Sequence, residues 1–370
     1  MAIDRRHFLT GTTLGLASAL CPSFQMPVWA SSPKSLLLAA CKKSNGSYAL
    51  TVLTSDGKII RELPIQGRGH DFAYDKRTKN VVAFARRPGR FALSFNAQNQ
   101  NPPTLFAPPI DRHFYGHGTF SSNGRILYTT ENDFNASRGI IGVYDAKTNF
   151  TRIGEFSSHG IGPHDILLQP DGKTLAVANG GIETHPESGR EKLNLTTMTP
   201  SLCFIDTTTG VLIAQHTLPE SLHQLSVRHL TQDSNGTIWF GGQWEGEMEN
   251  APGLIGHANL DTPLKIIEPS EALGTELKGY IGSVAMSADQ RWLAASAPRA
   301  NQIVYFDTEN PDRYHTTDIA DACGLAQLGG SQFAVSSGTG TLRNESPNNG
   351  LQKSRRFPHR AFDNHMQSIS

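Results

Sequence analysis

The sequence lacks an excess of charge of either sign. Its 370 residues include 33 Lys and Arg against 33 Asp and Glu, so the formal net charge is zero with histidine neutral. Proteins that bind nucleic acid or an anionic membrane surface through their overall field usually carry a basic excess. The composition therefore argues against a nucleic-acid partner and describes a globular protein with enough apolar residues for a large core.

The sequence also lacks the short motifs of the common cofactor and enzyme classes. It has no Cys-x-x-Cys-His sequence, which argues against covalently attached c-type haem. It has no Walker loop, no Gly-x-Ser-x-Gly nucleophile elbow and no His-Glu-x-x-His zinc motif. A functional site must therefore come from side chains that the fold brings together.

Helical periodicity is nearly absent as well. Short runs rich in Val, Ile, Phe, Tyr and Thr alternate with Asp-Gly, Asn-Gly and Gly-Gly turns, a pattern typical of β-strands. One unit places predicted strands at 118–121, 125–130, 139–145 and 151–156, and the next repeats this order over 165–218. Four strands in each unit of forty to fifty residues predict the blades of a β-propeller.

Histidine recurs at one position of this repeat. Gly69-His70-Asp71, Gly116-His117-Gly118 and Pro163-His164-Asp165 each open a unit, and the three histidines are 47 residues apart. Arg228-His229 opens the fifth unit, whereas Ser283 and Cys323 take this place in the last two. Because equivalent positions of successive blades face a common axis, these histidines are expected to converge.

The count of units predicts an all-β fold, a seven-bladed propeller closed by a C-terminal strand that completes the first blade. Six units have a recognisable first strand, but the runs at 36–41, 48–53 and 59–63 resemble second, third and fourth strands only. The missing strand is expected at 361–366, which would bring His365 to the repeat position of the other histidines. Closure of this kind removes an open sheet edge.

The first 30 residues are predicted to be a twin-arginine signal peptide. Arg5-Arg6 precedes Phe8-Leu9, a weakly apolar stretch follows, and Val28-Trp29-Ala30 is a small-x-small cleavage pattern. We therefore expect a periplasmic protein, with residues 31–370 as a single propeller domain and no transmembrane segment in the mature chain. Three cysteines remain after cleavage, and buried free thiols in strands are the favoured interpretation.

Several stretches resemble a known family: RGHDFAYD, VAFARRPG, HFYGHG, LYTTEND, GIGPHDILL, VANGGIETHPESGREKLNL, LSVRHL and FDNHM. Together they cover nearly all of the mature chain, and they are similar to the DUF1513 family of exported bacterial proteins of unknown function. The resemblance implies a seven-bladed periplasmic propeller. It also implies a link to iron-uptake loci, and hence other periplasmic metal-uptake proteins as partners. It carries no catalytic assignment.

The candidate metal ligands are the histidines at the repeat position, and iron, copper and zinc all suit imidazole donors. The members of this set are His70, His117, His164, His229 and His365. Nearby Asp71, Asp165 and Asp363 could orient the rings. The alternative is a structural role, in which first-strand histidines join blades by hydrogen bonds.

A second set of candidates would bind a ligand at the rim. Arg86, Arg87, Arg228 and Arg299 could hold carboxylates or phosphates, with surface salt bridges as the alternative. Glu131 is a candidate at the same rim, where a solvated turn is the alternative. His185 lies in the long polar connection at 180–194, and long ordered loops on a rigid scaffold often carry function.

Two classes of function remain open. One is a periplasmic binding or assembly protein, in iron or other metal handling, that uses a histidine-lined axial funnel. The other is a propeller enzyme of the lactonase or metal-dependent hydrolase kind that uses the same rim residues. The sequence does not decide whether the protein is an enzyme.

Overall fold

The propeller consists of seven four-stranded antiparallel sheets in a computed structural model that describes residues 35–87, 89–267 and 271–369. The predicted signal peptide, residues 1–30, lies outside the described residues. Within the described ranges, none of the helices has the length and apolar character needed to span a membrane.

The blades are numbered 1 to 7 around the ring, and each is given from its inner to its outer strand. Blade 1 contains β28 (Arg360–Ser368), β1 (Leu36–Lys43), β2 (Tyr48–Thr54) and β3 (Ile59–Ile65). Blade 2 contains β4 (Gly69–Tyr74), β5 (Asn80–Ala85), β6 (Ala92–Asn96) and β7 (Thr104–Phe106). Blade 3 contains β8 (Arg112–Phe120), β9 (Ile126–Asp133), β10 (Arg138–Asp145) and β11 (Thr151–Ser157). Blade 4 contains β12 (Pro163–Leu168), β13 (Thr174–Asn179), β14 (Ser201–Asp206) and β15 (Leu212–Thr217).

The remaining three blades follow the same plan. Blade 5 contains β16 (Leu225–Gln232), β17 (Ile238–Trp244), β18 (Ile255–Ala258) and β19 (Lys265–Ile266). Blade 6 contains β20 (Ser283–Met286), β21 (Trp292–Ala297), β22 (Gln302–Asp307) and β23 (Tyr314–Asp318). Blade 7 contains β24 (Ala322–Gln327), β25 (Phe333–Ser337), β26 (Thr341–Ser346) and β27 (Gly350–Arg356). The one α-helix in the described ranges, α1 (Glu271–Glu276), lies between blades 5 and 6, and short 3₁₀ turns occur at Ala146–Thr148, Pro186–Ser188, Leu195–Thr197, Glu220–Leu222, Met248–Asn250 and Pro298–Ala300.

Strand β28 closes the ring. It pairs with β1 in antiparallel register, with Met366 opposite Ala39 and Phe362 opposite Cys41. It also contacts the inner strands β4 and β24 of the two neighbouring blades. The prediction of an all-β, seven-bladed propeller whose first blade is completed from the C-terminal side is therefore confirmed.

The core lies between the faces of adjacent blades. The second strands β13, β17 and β21 are buried at every residue because both of their faces are covered, and they read as nearly continuous apolar runs. Leu38 and Leu50 of blade 1, for example, pack in one cluster with Phe72 and Val81 of blade 2. This packing positions the inner strands around the axis.

The three cysteines of the described ranges are free and buried. Cys41, Cys203 and Cys323 lie in β1, β14 and β24 of three different blades. The prediction of buried free thiols is therefore confirmed.

Candidate functional site: an axial histidine layer

The inner strands that carry the five candidate histidines are irregular where those histidines occur. Their pairing registers shift between Gly69 and Phe72 in β4, Phe114 and Gly118 in β8, Pro163 and Asp165 in β12, Val227 and His229 in β16, and opposite Ala39–Cys41 in β28. A β-bulge bends its strand and re-aims the side chains beside it. Strand β24, which has Cys323 at this position, also shifts register, between Ala322 and Leu325, whereas β20, which has Ser283 there, pairs without a shift.

The five rings form a closed cycle at the propeller axis. The centroid distances around this cycle are 4.9 Å for His70–His117, 4.6 Å for His117–His164, 4.7 Å for His164–His229, 4.9 Å for His229–His365 and 4.6 Å for His365–His70. All five residues are buried. We call these five residues the axial histidine layer. Their convergence was expected from the sequence, whereas their role as metal ligands stays a prediction.

His117 lies between two carboxylates. Its Nδ1 is 2.8 Å from Oδ2 of Asp71 and 3.2 Å from Oδ1 of Asp165. Asp165 is itself held by the backbone N–H groups of Ile166 and Leu230, which donate to its two oxygens at 2.7 and 2.8 Å. Burial alone would lower the pKa of His117, but the two carboxylates outweigh burial and raise the pKa to about 10.

The other four rings are neutral at neutral pH. Burial lowers the pKa of His365 to about 4 and those of His70, His164 and His229 well below the ordinary value of 6.5. The positive charge on His117 adds to this effect at each of the four. A neutral imidazole is the form that binds metals.

Most of the ring nitrogens in this layer have no hydrogen-bond partner. Within the described part of the chain, the buried unpartnered atoms are Nδ1 of His70, Nε2 of His117, Nε2 of His164, both ring nitrogens of His229 and Nε2 of His365. Two triads, His70–His117–His164 and His117–His229–His365, each offer three donor atoms within 4.8 Å of one another. These buried triads could hold a metal ion.

Gly116 provides the space for the ring of His70. Its φ is +109°, and a Cβ built there would lie 2.3 Å from Cδ2 of His70. We expect Gly116→Ala to lower the free energy of unfolding by about 1–3 kcal/mol, because an overpacked site must displace its neighbours. Chemical denaturation measures this change. Gly46→Ala is the matched control, since Gly46 also has a positive φ of +85° but nothing within 4 Å of an added Cβ. Equal losses in the two variants would contradict the packing argument.

A cavity of ≈ 470 Å³ lies on one side of the axial histidine layer, and His70, His164 and His229 form part of its wall. The arginines that line it are Arg68, Arg86, Arg87, Arg190, Arg228 and Arg299, and we call it the arginine cavity. A second cavity of ≈ 380 Å³ is lined by residues that follow the histidines along the same strands, such as Phe72 and Leu230. The layer thus lies between two axial cavities.

All four arginines named from the sequence line the arginine cavity. Arg86 is 3.3 Å from Oδ1 of Asp363, and Arg299 stacks over the ring of Tyr280 at 4.3 Å. Asp363 also pairs with Arg68 at 2.5 Å, so it holds arginines rather than orienting a histidine ring. That these arginines bind a ligand stays a prediction.

Sequence reasoning missed two arginines of this cavity. Arg68 stands directly before the Gly69-His70 motif, and its place in the repeat was the available signal. Arg190 lies in the long connection of blade 4, which contributes Ile182, Thr184 and Lys192 to the wall as well.

Glu131 and His185 lie apart from the arginine cavity. Glu131 is fully buried within blade 3, where it accepts hydrogen bonds from Thr129 Oγ1 at 2.9 Å and Tyr144 Oη at 2.7 Å and pairs with Arg152 at 2.7 Å. Strand β9 continues past Glu131 to Asp133, so Glu131 lies within the strand, where residues on both faces are buried, and not at the rim. The ring of His185 packs against Phe134, with centroids 5.4 Å apart.

Solved structures that resemble this chain share its fold alone. Hydrazine synthase of Kuenenia stuttgartiensis is 13% identical with a TM-score of 0.59, covering 90% of this chain and 99% of that chain. A chain of the mitotic checkpoint complex is also 13% identical, with a TM-score of 0.57, covering 78% of this chain and 79% of that one. Since 1274 chains match, the architecture does not select a function.

No protein of curated function matches the sequence. The model of one family does match, over residues 63–369, and its description is a protein of unknown function. The matched range includes all five residues of the axial histidine layer and all six arginines of the arginine cavity. The chain therefore belongs to the DUF1513 family.

Proposed function

We propose that this protein binds one transition-metal ion in the axial histidine layer and serves in metal handling. The observation that carries the proposal is the set of buried ring nitrogens that converge without hydrogen-bond partners among the described residues. Buried polar atoms in native proteins nearly always have a partner, so such a group of donors needs an explanation. Imidazole donors suit iron, copper and zinc, and softness does not choose among these ions.

His117 is the central ligand in this proposal. Because Asp71 and Asp165 raise its pKa to about 10, it is protonated at neutral pH and must release the proton on Nε2 when the ion binds. It belongs to both histidine triads, which is why we expect one ion per chain rather than two. Its Nδ1 faces Asp71 and Asp165, and its Nε2 has no partner in the described structure. A carboxylate that accepts from one ring nitrogen fixes the tautomer of a metal-binding histidine and strengthens the other nitrogen as a ligand.

The alternative of purely structural histidines has less support. Rings that join blades should hydrogen-bond across the blade boundary, and among the described residues only His117 and His365 make contacts of this kind, with Asp71 of blade 2 and, for His117, also with Asp165 of blade 4. The contacts with the two aspartates give a structural reason for a histidine at position 117. They give no such reason for His70, His164 and His229. Leucine or phenylalanine would fill the axis without leaving polar atoms unpaired.

Metal content and affinity test the proposal. We expect protein folded in the cytoplasm to contain about one equivalent of iron, copper or zinc by elemental analysis, and metal-free protein to rebind one equivalent. His117→Gln should weaken binding at least tenfold, because His117 belongs to both triads, and a comparison of His164→Gln with His229→Gln should show which triad holds the ion. Metal should be removed with 1,10-phenanthroline, which is uncharged and does not compete for the nearby arginines.

His359→Gln is the control for these variants, since His359 is exposed and lies outside the layer. It should bind metal as the wild type does. Thermal unfolding of each variant separates loss of a ligand from loss of the fold. Protein that holds no metal and rebinds none of the three ions would contradict the proposal, and the layer would then be a structural plug held by His117 between two aspartates.

The location and partners belong to the same proposal. The twin-arginine pattern of the sequence supports a periplasmic location. Twin-arginine export carries folded protein, so a metal could be inserted in the cytoplasm before export. Other periplasmic metal-uptake proteins are the partners that this role would require.

A further inference from the structure

The arginine cavity holds more positive charge than its carboxylates can balance. Glu245 is the carboxylate in its wall, and it pairs with Lys192. Asp363 serves both Arg68 and Arg86. Among the described residues, no carboxylate lies within 4.0 Å of the other four arginines, which are Arg87, Arg190, Arg228 and Arg299. The cavity is therefore strongly cationic although the whole chain is neutral.

Gathering these arginines in one cavity costs free energy. Burial lowers the pKa values of Arg87, Arg190 and Arg228, and the charge of Arg86 lowers them further. Each lowered pKa means that the charged form is disfavoured by its surroundings. An anion bound in the cavity would offset the free-energy cost of the repulsion among the arginines and of their burial.

Other polar atoms in the same wall have few partners. Within the described structure, Nε of Arg228 is buried without a hydrogen-bond partner, and the hydroxyls of Tyr115 and Thr184 have no partner other than each other. Thr184 is only 5% exposed and comes from the long connection of blade 4, whereas Tyr115 comes from β8. Donors from separate elements therefore face one space, which is the arrangement of a binding site.

The size of the space decides what kind of anion fits. At ≈ 470 Å³ it lies in the range of small-molecule sites, roughly 300–1,000 Å³. Of the four unpaired arginines, Arg87 follows β5 and Arg190 lies in the long connection of blade 4, whereas Arg228 is in β16 and Arg299 precedes β22. They therefore belong to four separate blades. One carboxylate has two oxygens and forms paired hydrogen bonds with one arginine fork at a time, whereas an anion with several oxyanion groups offers contacts to several arginines.

We propose that the arginine cavity binds a small anion carrying at least two carboxylate or phosphate groups. The arginine forks would bind these groups through paired hydrogen bonds. The Tyr115 and Thr184 hydroxyls would complete the contacts. This site does not depend on the proposed metal, because none of these groups belongs to the axial histidine layer.

Calorimetric titration of the metal-free full chain tests this inference. Citrate and pyrophosphate are the two probes, acetate is the monovalent control, and the buffer has fixed ionic strength without phosphate. Saturable binding of one equivalent of citrate or pyrophosphate, and none of acetate, supports the site, and the preferred probe tells carboxylate from phosphate recognition. Saturation by neither probe overturns it. Since no metal is present, this result is independent of the metal proposal.

Variants of the cavity arginines test whether the anion binds in the arginine cavity. Arg87→Gln, Arg190→Gln and Arg228→Gln should each weaken binding of the better probe about tenfold or more, as loss of a charge-assisted contact does. Arg356→Gln is the control, because Arg356 is exposed on the outer strand β27. Arg190 lies in a loop and not in a strand, so its variant remains informative if the others fold poorly. Wild-type affinity in the cavity variants, or an equal loss in the control, would overturn the proposal.

Discussion

Removal of residues 360–370 is expected to abolish the cooperative unfolding transition of the propeller. The deletion takes away β28, the inner strand of blade 1, and exposes the edge of β1. It also removes buried Phe362 and Met366, each of which contributes about 1.5–3 kcal/mol through burial. Added to the lost strand pairing, this approaches the typical total stability of about 5–15 kcal/mol. Circular dichroism during heating measures the effect.

A milder pair of variants checks the same argument. Phe362→Ala with Met366→Ala should lower the free energy of unfolding by about 4–8 kcal/mol, because both leave cavities in a packed core. Leu351→Ala is the matched control, since Leu351 is 53% exposed on β27 of the adjacent blade. It should change stability by less than about 0.5 kcal/mol. A truncated protein that melts at the full-length temperature would show that β28 is dispensable.

Metal-free protein is expected to lose stability steeply as the pH falls from 6.5 to 5. The pKa values of His365 and His113 are lowered by burial from 6.5 to about 4, so in this range the unfolded chain binds protons that the folded chain does not. Each such histidine lowers the free energy of unfolding by up to about 1.4 kcal/mol per pH unit. His70, His164 and His229, with pKa values lowered in the same direction, add to the slope.

His117 does not offset this loss. Its pKa is raised, so its contribution to stability is complete below pH 6.5 and declines only as the pH rises towards about 10. Denaturant unfolding at several pH values measures the slope. His365→Gln should reduce the slope by up to about 1.4 kcal/mol per pH unit, whereas the control His359→Gln should leave it unchanged. A flat stability profile between pH 6.5 and 5 would contradict the buried neutral rings.

The repeat made the fold and the convergence of the histidines predictable. Equal spacing of His70, His117 and His164 indicated one structural position, and a propeller places that position at its axis. The incomplete first blade then pointed to a strand near 361–366, and hence to His365. Each of these inferences needs only the strand pattern and the count of blades.

Details below the level of the repeat were not predictable. The bulges depend on pairing registers, and nothing in the sequence shows that β4 and β8 shift register at their histidines whereas β20 does not. Glu131 was expected at the rim because it ends a predicted strand. Strand β9 instead continues to Asp133 with both faces buried, and this extent of the strand could be learned only from the structure.

Because the first blade is split, the axial histidine layer becomes complete only near the end of translation. Strands β1 to β3 leave the ribosome first, but their inner partner β28 emerges only after all other blades. The contact between Arg68 and Asp363 spans 295 residues, and the pairing of His70 with His365 closes a loop of similar length. An ion held by His117, His229 and His365 would join the last strand to be translated to two strands translated earlier. That triad is complete only after β28 has been translated, so insertion of a metal there would have to follow the closure of the ring.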